Sequence, residues 1–262
     1  MQEKCKIQVE NRTGKKQACR RRRYLLLMMT IPFLIGIVWG TYEVYEEGGI
    51  AQVGFWGKEN SIRKELEELA EKNEEAQSFV ADFENRQLYL KQEIDLSGDY
   101  ETSEVPLLMQ WDKRWGYEDY GESMIGLAGC GPTCLAMVYI YFTGDITQNP
   151  RTMAEFADKN GYHTSAGTDW SLWTSGVEKL GLSGEMLVLD EGVMKRALDN
   201  GGVIVCSMRP GDFTTTGHFI LLTGYDENGF LVNDPNRRSN SEKHWTYDTL
   251  DGQIKNLWEI RK

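Results

Sequence analysis

The spacing of apolar residues changes several times along the 262-residue chain, and each change predicts a different element. Residues 24–42 carry no charge, and most of them are Leu, Ile, Met, Val, Phe or Trp. Between 58 and 93, Ile62, Leu66, Leu69, Ala76, Phe79, Val80, Phe83, Leu88 and Leu90 recur at irregular helical intervals among Glu, Lys, Ala and Gln, which predicts a stalk made of one helix or a pair. Ser97, Gly98 and Asp99 break that pattern. Leu135, Ala136, Val138, Tyr139 and Phe142 then form the apolar side of a helix that opens near residue 130, with Pro132 in its first turn. Further helices are expected over 149–160, opened by Pro150, over 169–180, ended by Gly181, and over 192–200, closed by Gly201 and Gly202. Strands are expected over 185–189, 203–208, 219–225, 230–232 and about 257–260. Helices first and antiparallel strands later predict an α+β fold.

Charge divides the chain where the apolar stretch lies. Residues 1–23 hold nine Lys or Arg against two Glu, a charge of +7 in a chain of net −11, so the remainder carries −18. Nineteen uncharged residues come close to the roughly 20 that cross a bilayer. Arg20 to Arg23 precede them and Glu43, Glu46 and Glu47 follow, so positive charge stays on the cytoplasmic side and the rest lies outside. A cleavable signal peptide is the rival reading, but the stretch is long for one and Trp39-Gly40-Thr41-Tyr42 offers no small-residue cleavage site. The organisation expected is a basic cytoplasmic tail (1–23), a transmembrane signal anchor (24–45), a helical stalk and linker (46–102) and a globular domain (103–262). The stalk reads first as a spacer that packs on the domain, with dimerisation or a segment folded over a site as the alternatives.

The candidate chemistry begins at Ala128-Gly129-Cys130-Gly131-Pro132-Thr133-Cys134. A cysteine at the start of a helix meets unpaired backbone N–H groups and the positive end of the helix dipole, both of which favour thiolate. A thiolate nucleophile needs a base, and the chain has three histidines, His163, His218 and His244. His218 stands at the entry of the buried run Phe219 to Thr223 and is the best placed. The turn Asp226-Glu227-Asn228-Gly229 predicts a hairpin whose second strand ends at Asp234-Pro235, returning Asp234 towards His218. Helix-mounted Cys130 with strand-mounted His218 and Asp234 is a papain-like arrangement.

These motifs also carry a family resemblance. Val105 to Gly116, with Gln110 and Trp111 at its centre, Gly129 to Thr133, Gly217-His218, Gly224-Tyr225-Asp226 and Asn233-Asp234-Pro235 together resemble the cysteine peptidases related to bacteriocin-leader processing (double-glycine peptidases). The resemblance implies a papain-like fold over about 103–262, with Cys130 as nucleophile, His218 as general base, Asp234 as orienting acid and Gln110 as oxyanion donor. Twenty positions separate Gln110 from Cys130, which resembles the stand-alone branch rather than domains fused to transporters. It implies a peptide or protein substrate and no cofactor. The same chemistry serves a cell-wall peptide amidase or transpeptidase.

Simpler roles account for the other residues that could carry chemistry. Cys134 and Cys206 read as small buried hydrophobes; at i+4 from Cys130, Cys134 is poorly placed for a disulfide, which disfavours a thiol-disulfide oxidoreductase. An intact set of catalytic roles disfavours a non-catalytic peptide-binding module. No histidine lies in a paired metal-ligand spacing, and the acidic domain argues against nucleic acid. His163 reads as a solvated loop residue, while His244 has no evident partner. Trp111, Trp115 and Tyr117 read as packing, with a cleft wall as the alternative. Oligomeric state has no signature in the sequence.

Overall fold

Residues 58–164 and 167–262 are described in a computed structural model. The basic tail, the expected membrane anchor and stalk residues 46–57 lie outside the described residues. Among the described residues, no helix is long and apolar enough to cross a membrane. Asn60 to Lys262 form one unit.

The first part of this unit departs from a simple stalk. Helix α1 covers residues 58–72 of the described chain. It stops because Asn73 leaves helical geometry (φ −138°, ψ 99°) and its side chain accepts the Glu75 N–H, opening a new turn at Glu74–Ala76. Gln77–Ala81 and Phe83–Leu88 follow as single turns. Ile62, Leu66, Phe79 and Phe83 are buried together with Tyr117 and Met124. Phe79 stacks on Tyr117 with ring centroids 4.4 Å apart, and the Tyr117 hydroxyl donates to Phe79 O at 2.7 Å. Each buried side chain of this size stabilises by about 2 kcal/mol. A partly exposed ion pair such as Lys113 with Asp82 contributes about 0–1 kcal/mol. Apolar burial therefore holds this segment, called the arm below, against the rest of the unit.

Helix α2, Cys130–Thr143, is buried on nearly every side, with Cys134, Leu135, Ala136, Met137, Val138 and Ile140 inaccessible. A helix that is apolar all round belongs in a core. Gly144, at φ 71°, ends it. Helix α3, Pro150–Lys159, begins as expected, Asn149 accepting the N–H groups of Arg151 and Thr152. The helix expected over 169–180 is instead a tight turn, Trp170–Trp173, and a short helix α4, Ser175–Lys179, separated by Thr174 at φ −123°, ψ −90°. Trp170 packs edge-on to Trp258 while Trp173 packs on Phe219, and seating both rings overrides the helical phase.

The sheet has strands β1 (Ser183–Met186), β2 (Val203–Met208), β3 (His218–Asp226), β4 (Gly229–Asn233) and β5 (Ile254–Arg261), in the antiparallel order β1-β5-β2-β3-β4. Strand β1 starts before the expected 185–189 because it pairs Ser183 with Arg261 and Met186 with Trp258. The central strand β2 is buried along its length, as its unbroken apolar run suggests. Val203, Val205, Phe219 and Leu221 share one core with α2; Ile204, Cys206, Ile220 and Leu222 share another with Met194 and Ala197 of helix α5, Glu191–Asp199. The β3–β4 ladder is irregular. Asp226 pairs with Gly229 and Gly224 with Leu231, but Leu222 pairs with Val232 and Leu221 with Asn233, so Thr223 is an extra residue. Continued without this bulge, the hairpin register would set Asp234 opposite Leu221 and one position out. Beyond β4 comes the short helix α6, Arg238–Ser241.

Candidate active site

Cys130 is the first residue of α2, following Gly129 at φ −91°, ψ 22°. Its partner Gly131 has no room for a side chain, since a Cβ there would overlap Thr168 Oγ1. Thr168 Oγ1 also lies 2.9 Å from the Tyr120 hydroxyl. Tyr120 and Thr168 thus wall the start of the helix. Cys130 itself is half-buried.

His218, the first residue of β3, pairs across the sheet with Met208. Its Nε2 lies 2.7 Å from Asp234 Oδ1, with both side chains buried. The ring also acts on Cys130, each favouring the other's charged form, and with Nε2 on the carboxylate the nitrogen left for the thiol is Nδ1. The three residues named from sequence therefore come together, with the imidazole between thiol and carboxylate.

Burial disfavours every charge in this row, yet each group favours its ionised form. Burial pushes the Cys130 thiol up, but the His218 ring and the Phe219 and Gly131 N–H groups bring it below its ordinary value. Burial likewise opposes an imidazolium, but the Asp234 carboxylate, followed by Cys130, raises His218 to about 10. Asp234 is lowered against the effect of burial by His218, Asn240 and the Asn236 N–H. All three shifts run towards a thiolate–imidazolium–carboxylate row. In contrast, burial pushes the thiols of Cys134 and Cys206 well up, and Cys134 Sγ lies 3.5 Å from Phe219 O. Both fit the small buried hydrophobes read from sequence.

A polar ring surrounds Asp234. The Asn236 N–H donates to Oδ1 at 2.8 Å, Asn240 Nδ2 donates to Oδ2 at 2.7 Å, and the Asp234 N–H donates to Ser241 Oγ at 2.9 Å. Asn240 is itself buried and its carbonyl accepts from Trp245 Nε1 at 2.8 Å. The sequence motifs single out neither Asn240 nor Ser241. Only the Asn236 contact had a local cue, an Asp followed by Pro favouring a turn in which the aspartate accepts the N–H two residues on.

Gln110 is buried between these parts. Its N–H donates to Pro235 O at 2.7 Å, and its Nε2 donates to Gly126 O at 3.0 Å and to Leu127 O at 3.4 Å. Its Oε1 is buried without a partner. Of the nearby aromatics, Trp115 and Tyr117 are buried core, while Trp111 is half-buried and donates from Nε1 to Asn236 O at 2.8 Å. His163 is not a solvated loop residue. It lies half-buried in a small ribbon, His163–Thr164 with Gly167–Thr168, edge-on to Tyr120 and 3.9 Å from Asp158. His244 Nε2 pairs with Asp226 Oδ2 at 3.0 Å.

Comparison with known proteins agrees with the motifs. The peptidase domain of Streptococcus ComA, described as a bifunctional ABC transporter involved in quorum sensing, is 15% identical with a TM-score of 0.39, covering 51% of this chain and 91% of that one. A Bacillus anthracis protein described as a C39-like peptidase is 17% identical with a TM-score of 0.38, covering 61% of this chain and 96% of that one. No curated protein matches in sequence. Residues 102–262, more than half of the chain, match the Peptidase_C39 like family. The chain belongs to that family, and is a cysteine peptidase related to the bacteriocin-processing enzymes.

Proposed function

We propose that this chain hydrolyses peptide bonds through Cys130, His218 and Asp234 by way of a thioester. The observation that carries this reading is the buried His218 ring, 2.7 Å from Asp234 and acting on Cys130, whose thiol it brings below the ordinary value. The Cys130 thiolate attacks the substrate carbonyl, and the developing oxyanion takes hydrogen bonds from the Cys130 N–H and from Gln110. An amide nitrogen carries two hydrogens. One on Gln110 Nε2 is used by Gly126 O at 3.0 Å; the other, weakly engaged by Leu127 O at 3.4 Å, is the one to turn to the oxyanion. His218 then protonates the departing amine and takes a proton from the water that cleaves the thioester, while Asp234 holds the ring. The segment 24–45, whose residues 24–42 carry no charge, anchors the chain in a membrane, with residues 1–23 cytoplasmic and the peptidase outside.

The test is iodoacetamide labelling of the full-length chain across pH, read site by site by mass spectrometry, in wild type and His218→Ala. Cys130 should react fast at about pH 6, well below an ordinary thiol, and slow sharply without His218. Cys134 and Cys206 should stay unlabelled in both. A Cys130 no faster than a free thiol would remove the reading. Labelling of Cys130 by a membrane-impermeant maleimide in intact cells checks the location; protection until lysis would reverse it.

A further inference from the structure

We infer that Glu75, in the arm, is a positioning residue for Asp234, so that the catalytic unit extends beyond the segment that defines the family. The inference rests on the triad reading above. The two Glu75 carboxylate oxygens accept the N–H groups of Arg238 and Ser239 at 2.7 and 3.0 Å, at the start of α6. Helix α6 carries Asn240 and Ser241, the side chains that hold the outer oxygen and the backbone of Asp234. A helix of four residues has almost no stability of its own, and its first N–H groups have no partner within it. What caps it from outside therefore decides whether it keeps its place. The neighbouring contacts act in the same direction. Asn73 Nδ2 donates to Asn236 O at 2.5 Å, and the Arg237 guanidinium donates to Lys72 O. Residues 72–75 all precede the family match, which begins at residue 102.

Burial opposes the Glu75 charge, yet the Ser239 and Arg238 hydrogen bonds leave its carboxyl below the usual range. Glu75 does not touch the imidazole. It acts through α6: if the helix loosens, Asn240 and Ser241 release Asp234, and the His218 imidazolium loses part of the support that raises it to about 10.

The experiment is an NMR titration of the full-length chain labelled with 15N-histidine, the His218 signal assigned by its loss in His218→Ala. Glu75→Ala should lower the His218 pKa by about one unit, the scale of one hydrogen bond to a charged group. Glu75→Gln, which keeps one carbonyl acceptor and the same shape, should lower it less. Lys113→Ala breaks the arm's contacts to Ser78 at 3.0 Å and Asp82 at 3.3 Å, away from α6, and should leave it unchanged. An unshifted His218 in folded Glu75→Ala, or an equal shift in Lys113→Ala, overturns the inference while the triad stands. A wild-type His218 titrating near the ordinary histidine value overturns the triad reading, and the inference with it.

Discussion

The surroundings of Cys130 and of Asp234 differ although one imidazole joins them. Cys130 is set mainly by neighbours in sequence: Gly129, Gly131, and the apolar body of α2 behind it. Asp234 sits within a polar ring from Asn236, Asn240 and Ser241, braced by Asn73 and Glu75, which lie 163 positions before their partners. A nucleophile defined by a helix start keeps its geometry as long as the helix packs. An acid defined by separate hydrogen bonds, each worth about 1–3 kcal/mol to a charged group, can be detuned in steps without unfolding.

The comparison is broken most strongly by Asp234→Ala. Turnover of a cleaved peptide should fall by about four orders of magnitude, as removal of a triad acid does elsewhere. Labelling of Cys130 at high pH should persist, because α2 is untouched. Equal loss of both would mean that the thiol also depends on the distant ring.

A second effect concerns the alkaline limit of activity. Below the Cys130 value the nucleophile is protonated; above the His218 value, about 10, no imidazolium remains to protonate the leaving amine. Wild-type kcat/KM should therefore hold a plateau that declines near pH 10. Taking away the carboxylate removes what raises His218, so residual activity of Asp234→Ala should decline about two pH units lower. An unchanged alkaline limb would show that Asp234 does not set the imidazolium.

The smallest effect probes the contact of Gly131 with Thr168, beside the thiol. Gly131→Ala forces a Cβ against Thr168 Oγ1 and should cost about 1–3 kcal/mol in chemical denaturation. Pairing it with Thr168→Ser, which removes the methyl but leaves Oγ1 in place, should recover only part of that loss. Full stability of the single variant would mean that the ribbon does not press on α2.

How much of this was legible in sequence follows the same division. The start of α2, the buried run of β2 and the β3–β4 hairpin are written in short windows, and Cys130, His218 and Asp234 could be named from them. The break at Asn73 has a residue-level cause, but whether an Asx cap or continued helix wins depends on Phe79 finding Tyr117. Thr174 interrupts its helix for the sake of two tryptophans that meet different strands. The bulge at Thr223 leaves no mark in the apolar pattern, yet it shifts Asp234 by one position. Asn240 and Glu75 look like ordinary polar surface residues until the loop after β4 and the arm are seen together.

The long-range brace also sets when the chemistry becomes available. Ribosomes deliver the amino-terminal side first, at about 5–20 residues per second. Cys130 is therefore made several seconds before His218, which follows 88 residues later, and Asn240 later still. In that interval the thiol has no imidazolium beside it and behaves as an ordinary cysteine. Glu75 waits longer, since its partners Arg238 and Ser239 follow it by 163 and 164 residues. On the proposed triad, the nascent chain stays unarmed until His218 and the residues that hold Asp234 have been made.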